Sequence, residues 1–161
     1  MVVLYLFETG LAGAWSLRNR RALAARGGVV EHRTEASAQL LLVSYLVGLV
    51  LVETLLPSRP APASAGACLL LFACGQLLGA WAAWTLGDRW CRAIVTLPGS
   101  QRVTGGPYRF LRHPIYAATA AEWFALPGIG GHFWYGALAA LAAVFVLARR
   151  ARVEDELLGG P

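Results

Sequence analysis

The chain has 161 residues, of which 57% are hydrophobic and only 14% charged, with a mean hydropathy of +0.54. A soluble domain carries about 25% charged residues, so this chain has too little polar surface to cover its apolar surface in water. The net charge of +5 rests on arginine, with no lysine present; lacking the basic face of a soluble module, it excludes a nucleic-acid binder and reports membrane topology instead.

Five apolar segments follow in chain order, against the roughly 20 residues that a helix needs to cross a hydrocarbon core. They run over Val2–Leu17, Ala36–Leu56, Ala65–Gly87, Ile115–Pro127 and Phe133–Ala148, the fourth being short. The first has no basic region ahead of it and is interrupted by Glu8, so it is not read as a cleaved signal peptide. Gly128-Ile129-Gly130-Gly131-His132 is a tight turn that makes the last two segments a helical hairpin.

Arginines test this layout. Arg18, Arg20, Arg21, Arg26 and Arg33 follow the first segment; Arg89, Arg92, Arg102, Arg109 and Arg112 follow the third; Arg149, Arg150 and Arg152 follow the fifth. All of these share one side of a five-span chain, and only Arg59 falls on the other. The positive-inside rule then places the N-terminus outside and the C-terminus in the cytoplasm. The expected fold is all-α: one domain over residues 1–161, a multi-span transmembrane bundle of about five helices with a short cytoplasmic C-terminal helix. Residues 1–64 hold the N-terminal spans and 65–161 the core that carries the chemistry.

Cys68, Cys74 and Cys91 lack metal-ligand or disulfide-framework spacing, and His32 and His132 fall on opposite sides, so no metal is expected. Gly75 and Gly79 form a small-xxx-small pair that packs helices inside the monomer or joins two chains as a homodimer. Trp81, Trp84 and Trp90 fit an aromatic belt at the cytoplasmic interface.

Val103-Thr104-Gly105-Gly106-Pro107-Tyr108-Arg109-Phe110-Leu111-Arg112-His113-Pro114-Ile115-Tyr116 concentrates polar groups beside a membrane segment. Its glycines permit close approach to a ligand, and Pro114 breaks helical geometry at His113. The helix start beyond offers free N–H groups to a carboxylate or phosphate, and Arg109 and Arg112 add forked donors. Taken on residues alone, an anchor for lipid headgroups explains the stretch equally well.

The same stretch resembles the signature of the isoprenylcysteine carboxyl methyltransferase family and the related phospholipid methyltransferases, membrane enzymes that use S-adenosylmethionine. Gly-Pro-Tyr at 106–108 and Arg-His-Pro-x-Tyr at 112–116 carry the likeness, and Arg152-Val153-Glu154-Asp155-Glu156-Leu157 supplies a second element about forty residues on. The resemblance covers roughly residues 70 to 158. It implies a cofactor site from Ser100, Gln101, Arg102, Val103, Tyr108, His113, Pro114, Ile115, Tyr116 and Glu156. It further implies a catalytic and substrate role for Arg152 and a catalytic one for Glu156. These last two are spaced to share a helix face, where a surface ion pair is the plain alternative. Many relatives continue with an aromatic and basic tail, whereas this sequence ends at Gly159-Gly160-Pro161, leaving open how the site is closed.

The implied reaction moves a methyl group from S-adenosylmethionine, with S-adenosylhomocysteine as product, to a carboxylate or enol oxygen of a lipophilic acceptor. Such a transfer asks for alignment and desolvation more than for a strong base. An isoprenylcysteine-like molecule or a long-chain alkylpyrone is the expected type of acceptor. The arginine- and alanine-rich composition points to a bacterial inner membrane with the site on its cytoplasmic side. Glu8, Glu53, Gln76 and Glu122 are polar groups within apolar segments; Glu122 and Trp123 are expected against substrate, with an interhelix clamp or plain packing as alternatives. An NADPH-dependent membrane reductase and a non-catalytic membrane scaffold are the competing readings.

Overall fold

The computed structural model describes residues 2–157 apart from 33, 59, 98 and 100, and the side chains of all of these except 2 and 4. Five helices follow one another: α1 Val2–Ala25, α2 Glu35–Leu55, α3 Pro62–Leu86, α4 Pro114–Ile129 and α5 Phe133–Leu157. The helical bundle expected from the sequence is therefore present. Two helices run well past their apolar segments, α1 through Arg18–Arg21 and α5 through Arg149–Leu157, because arginine, alanine and glutamate propagate a helix once it has started. Arg33, Arg59 and the expected cofactor residue Ser100 lie outside the described residues, as does the C-terminal Gly159-Gly160-Pro161.

Among the described residues two helices are long and apolar enough to cross a membrane: α2, and α3 together with the turn that extends it to Arg89. The expectation of five such helices is thus met at two. Glu8, Arg18, Arg20 and Arg21 dilute α1, α4 has only 16 residues, and α5 turns charged from Arg149 onward. The apolar surface is nonetheless extensive. Leu40, Val43, Val47 and Leu55 on α2, Leu70, Leu77 and Trp84 on α3, and Leu141, Val144 and Phe145 on α5 all face outward, a larger apolar exposure than a soluble monomer shows.

Small residues let the helices approach. Gly75 of α3 is buried, and a Cβ there would meet the Ala118 carbonyl at 3.3 Å; one at Gly79 would meet the Ala118 methyl at 3.6 Å. The glycine pair is therefore used between α3 and α4 of one chain, the first of the two uses weighed for it, and the alternative of a homodimer through this pair is left without support. At the other end of α4, His132 N–H donates to Pro127 O and Gly131 N–H to Gly128 O. Gly131, at φ +88°, takes the left-handed position of this helix stop, and α5 begins two residues later as the second arm of the hairpin.

An aromatic core ties the bundle together. Tyr45 of α2 stacks on Trp123 of α4 at 4.2 Å between ring centroids, and Trp123 Nε1 donates to the Tyr5 hydroxyl of α1 at 3.0 Å. Tyr135 of α5 donates to the Tyr45 carbonyl at 2.7 Å. Trp90 departs from the expected interfacial belt: it is buried and packs on Trp15 at 4.7 Å, whereas Trp84 is exposed.

One feature is additional to the expected fold. Val29–Glu31 (β1) and Ile94–Thr96 (β2) pair as a short antiparallel ribbon with Val30 opposite Val95. It fastens the α1–α2 connection to the long α3–α4 connection that leads into the polar motif.

Candidate active site

Pro114 occupies the first position of α4, where its missing N–H costs no hydrogen bond, and leaves His113 just outside the helix. Before it, Gly106–Arg109 forms a single 3-10 turn. Gly106 sits at φ +57°, with Thr85 where a side chain would project; only glycine serves there without strain. The turn aims Tyr108 inward and leaves Arg109 and Phe110 outside, with the Arg109 guanidinium over the Phe110 ring.

His113 stacks on Tyr116, one helical turn on, at 5.3 Å and nearly parallel. Across the hairpin, the extended end of α5 brings its acidic residues to the same place. Glu154 Oε2 accepts a hydrogen bond from the Tyr116 hydroxyl at 3.0 Å and lies 3.6 Å from His113 Nδ1. Asp155 Oδ1 lies 3.3 Å from His113 Nε2 and also pairs with Arg102. That Nε2 is buried and has no aligned hydrogen-bond acceptor, so its contact with Asp155 is one of charge alone. Arg150, buried on the same face of α5, donates from Nε to the Tyr116 hydroxyl at 3.2 Å and from Nη2 to the main-chain carbonyl of Arg92.

These contacts set the protonation states. Interaction with Glu154 raises the pKa of His113 above its ordinary 6.5; burial opposes it, and the charges of Glu154 and Asp155 add to the rise. Burial would raise the Asp155 carboxyl, but Arg102 and then His113 overcome it and hold the group below its usual range. Burial first, and the charge of Glu154 second, push the Tyr108 hydroxyl well up, so it stays a neutral donor. Since His113 binds its proton more tightly when folded, its charged form contributes stability in full below about pH 6.5 and loses it as pH rises through the elevated value. The thermal-stability margin of the wild type over His113→Gln should accordingly shrink across that interval, as followed by unfolding temperature against pH.

His113, Tyr116, Arg150 and Glu154 line a cavity of about 940 Å³, reached by all five helices and the α3–α4 connection. Of the residues expected at the cofactor, Gln101, Arg102 and Val103 line it, and so do Tyr108 and His113. Pro114, Ile115 and Tyr116 line it from the start of α4, and Glu122 and Trp123 from further along. Arg89 holds the Gln101 carbonyl at 3.1 Å. Arg152 and Glu156 are exposed and do not line the cavity. Glu154 and Arg150 take the corresponding place, two residues earlier along α5. Sequence reasoning missed both, although Gly136, Ala139, Ala143 and Arg150 are the buried face of α5 and that small-residue stripe is visible in the sequence. Among the described residues no group of three or more His, Cys, Asp or Glu side chains could hold a metal, and the three cysteines are free.

A helical bundle that gathers a histidine, tyrosines, arginines and carboxylates in the wall of a large, mostly apolar cavity has the form of a small-molecule enzyme site. The chain belongs to the isoprenylcysteine carboxyl methyltransferase (ICMT) family, which matches it over residues 68–159. Membership supports methyltransferase activity and dependence on S-adenosylmethionine in general terms. A curated relative with the name Uncharacterized protein YpbQ, from Bacillus subtilis (strain 168), is 31% identical over 83 residues, covering 52% of this chain and 49% of the relative. The chain thus spans about half the length of that relative. No solved structure matches it.

Proposed function

We propose that this chain is an integral membrane methyltransferase that moves the methyl group of S-adenosylmethionine to a carboxylate or enol oxygen of a lipophilic acceptor. The observation that carries this reading is the His113–Tyr116–Glu154–Arg150 cluster in the wall of a large, mostly apolar cavity. The cavity lies within the roughly 300–1,000 Å³ of typical ligand sites.

The donor set fits the cofactor. Glu154 offers an acceptor to an ammonium or ribose hydroxyl, and Tyr108 and Tyr116 supply aromatic faces that favour a cationic group. The buried, unaligned His113 Nε2 offers a donor, and Arg112 stands in the lining with no carboxylate in ion-pair reach among the described residues. Gln101, Arg102 and Val103 border the same space, with Ser100 next in sequence. When bound, the cofactor supplies an electrophilic methyl group on a sulfonium. The protein's own part is to orient the partners and exclude water, which is most of what a transfer to an already anionic oxygen requires.

The acceptor end lies between helices, with Glu122 and Trp123 in its wall and residues 65–161 forming the catalytic core. An isoprenylcysteine-like molecule or a long-chain alkylpyrone suits a cavity of this polarity. All five helices sit in the membrane, N-terminus out and C-terminus in, with the polar cluster on the cytoplasmic side of a bacterial inner membrane. The outward-facing aliphatic residues and the one-sided arginines support this arrangement.

Calorimetric titration of the purified protein in detergent tests the reading. S-adenosylhomocysteine should bind at micromolar concentration, roughly −8 kcal/mol, and NADPH should not. A folded protein that binds neither would sink the proposal, and one that binds NADPH alone would make it a reductase.

A further inference from the structure

The side chain of Arg92 stands apart from the His113–Glu154 cluster, yet the residue is held from both α1 and α5. Its N–H donates to Ser16 Oγ of α1 at 2.9 Å, and its carbonyl accepts from Arg150 of α5. The side chain is directed as well. Nη2 donates to the Thr9 carbonyl at 2.9 Å, and the guanidinium crosses α1 at Gly13, where a Cβ would stand 3.5 Å from Nη1.

So held, the guanidinium lines the cavity and remains accessible there. Enough protein surrounds it that loss of hydration lowers its pKa. Among the described residues no carboxylate comes within ion-pair distance, including Glu8 and Glu122 of the same cavity. One of its five N–H donors is taken by Thr9, and the others are left for a ligand. A partly desolvated, fixed and unpaired guanidinium gains most from an anion, and its fork matches two oxygens of one group. Arg150 connects this point to the methyl-donor end, since it bonds the Tyr116 hydroxyl and the Arg92 carbonyl together.

We infer that Arg92 is the anchor for the anionic head of the acceptor, so that the protein selects a lipophilic carboxylate or enolate over its neutral counterpart. The inference rests on the proposed methyltransferase reading and moves the anion from Arg152, which is exposed and outside the cavity, to Arg92. The apolar stretch of the cavity, with Tyr5, Leu41, Leu42 and Leu147, takes the hydrocarbon part.

The test compares decanoate with methyl decanoate, an anion and a neutral ester of the same chain. Binding is followed through the fluorescence of Trp15 and Trp90, which line the same cavity. The wild type should bind decanoate at least about tenfold more tightly, the span of one charged hydrogen-bonded pair. Arg92→Gln should bring the two affinities within about twofold. Arg92→Lys should keep a reduced preference, which preserves the test if the glutamine variant fails to fold. Arg149→Gln, an exposed arginine outside the cavity, controls for net charge and should keep the full preference.

Equal affinity for acid and ester in the wild type, no binding of either, a preference that survives in Arg92→Gln, or its loss in Arg152→Gln instead would each overturn the inference. S-adenosylhomocysteine titrated into the same preparations keeps the two ideas apart. Its failure to bind the wild type would count against the methyltransferase reading, and the acid-over-ester preference is read without it.

Discussion

Glu154→Gln should weaken S-adenosylhomocysteine binding at least about tenfold, or 1.4 kcal/mol, while Glu53→Gln, at the far end of α2 beside Gly130, leaves it within about twofold. Glu154 Oε2 accepts the hydrogen bond of the Tyr116 hydroxyl and faces His113 Nδ1, and it does so from a different helix. Hydrogen bonds to a charged acceptor contribute about 1.5–3 kcal/mol. A glutamine keeps the shape, loses the charge, and turns an amide N–H₂ toward one of its former donors. The loss therefore reaches beyond Glu154. Without its largest favourable partner His113 should titrate lower than in the wild type, a shift that NMR of the imidazole would detect. Glu156→Gln is the decisive comparison, because the family resemblance puts the cofactor role there. If the Glu156 variant lost more affinity than the Glu154 variant, the role would return to Glu156.

That comparison shows how far the sequence could be read. His113 was legible because Pro114 fixes the helix start and leaves the histidine just before it, and Tyr116 was legible through the Arg-His-Pro-x-Tyr motif that the family resemblance rests on. The acidic end of α5 was harder. Of three acidic residues in a row, Glu154 and Asp155 reach His113 while Glu156 is turned away, since a step of two residues rotates a helix by about 200°. The phase was nonetheless written upstream: Gly136, Ala139, Ala143 and Arg150 repeat at helical spacing, and the next position on that stripe is Glu154, not Glu156.

Other features had no local signal. The ribbon of Val29–Glu31 and Ile94–Thr96 is three residues per strand, too short for alternation to register, and its pairing joins segments far apart in the chain. Trp90 read as an interfacial tryptophan because its partner, Trp15, lies on another helix. Arg92 was only one cation in a topological count until Ser16, Thr9 and Arg150 were seen to fix it. In each case the missing information was a long-range contact, which sequence pattern does not carry.

The hairpin that joins His113 to Glu154 also sets the largest expected effect on stability. Gly136→Ala should destabilise the protein by about 2–3 kcal/mol, seen as a lower unfolding temperature in detergent. Gly136 is buried on α5, and a methyl there would fall on the main-chain carbonyl of Phe124 in α4, with Phe124 C and Cα only 3.2 and 3.3 Å from it. Backbone cannot rotate aside as a side chain can. The helices would have to separate, and the tight stop at Gly131 lies too close to Gly136 to absorb the shift. Gly66→Ala is the control: its Cβ meets nothing within 4 Å in the helix interior of α3, so it should leave stability unchanged or raise it by about 0.5–1 kcal/mol. The consequence extends to the site, because His113 opens α4 and Glu154 lies near the end of α5, both at the open end of the hairpin. A separation imposed at Gly136 widens along the arms, so Gly136→Ala should also lower S-adenosylhomocysteine affinity without touching a residue of the cavity. If it lowered stability but left affinity intact, the two arms would be held at the site by their own contacts, and the hairpin would not be what sets the distance between His113 and Glu154.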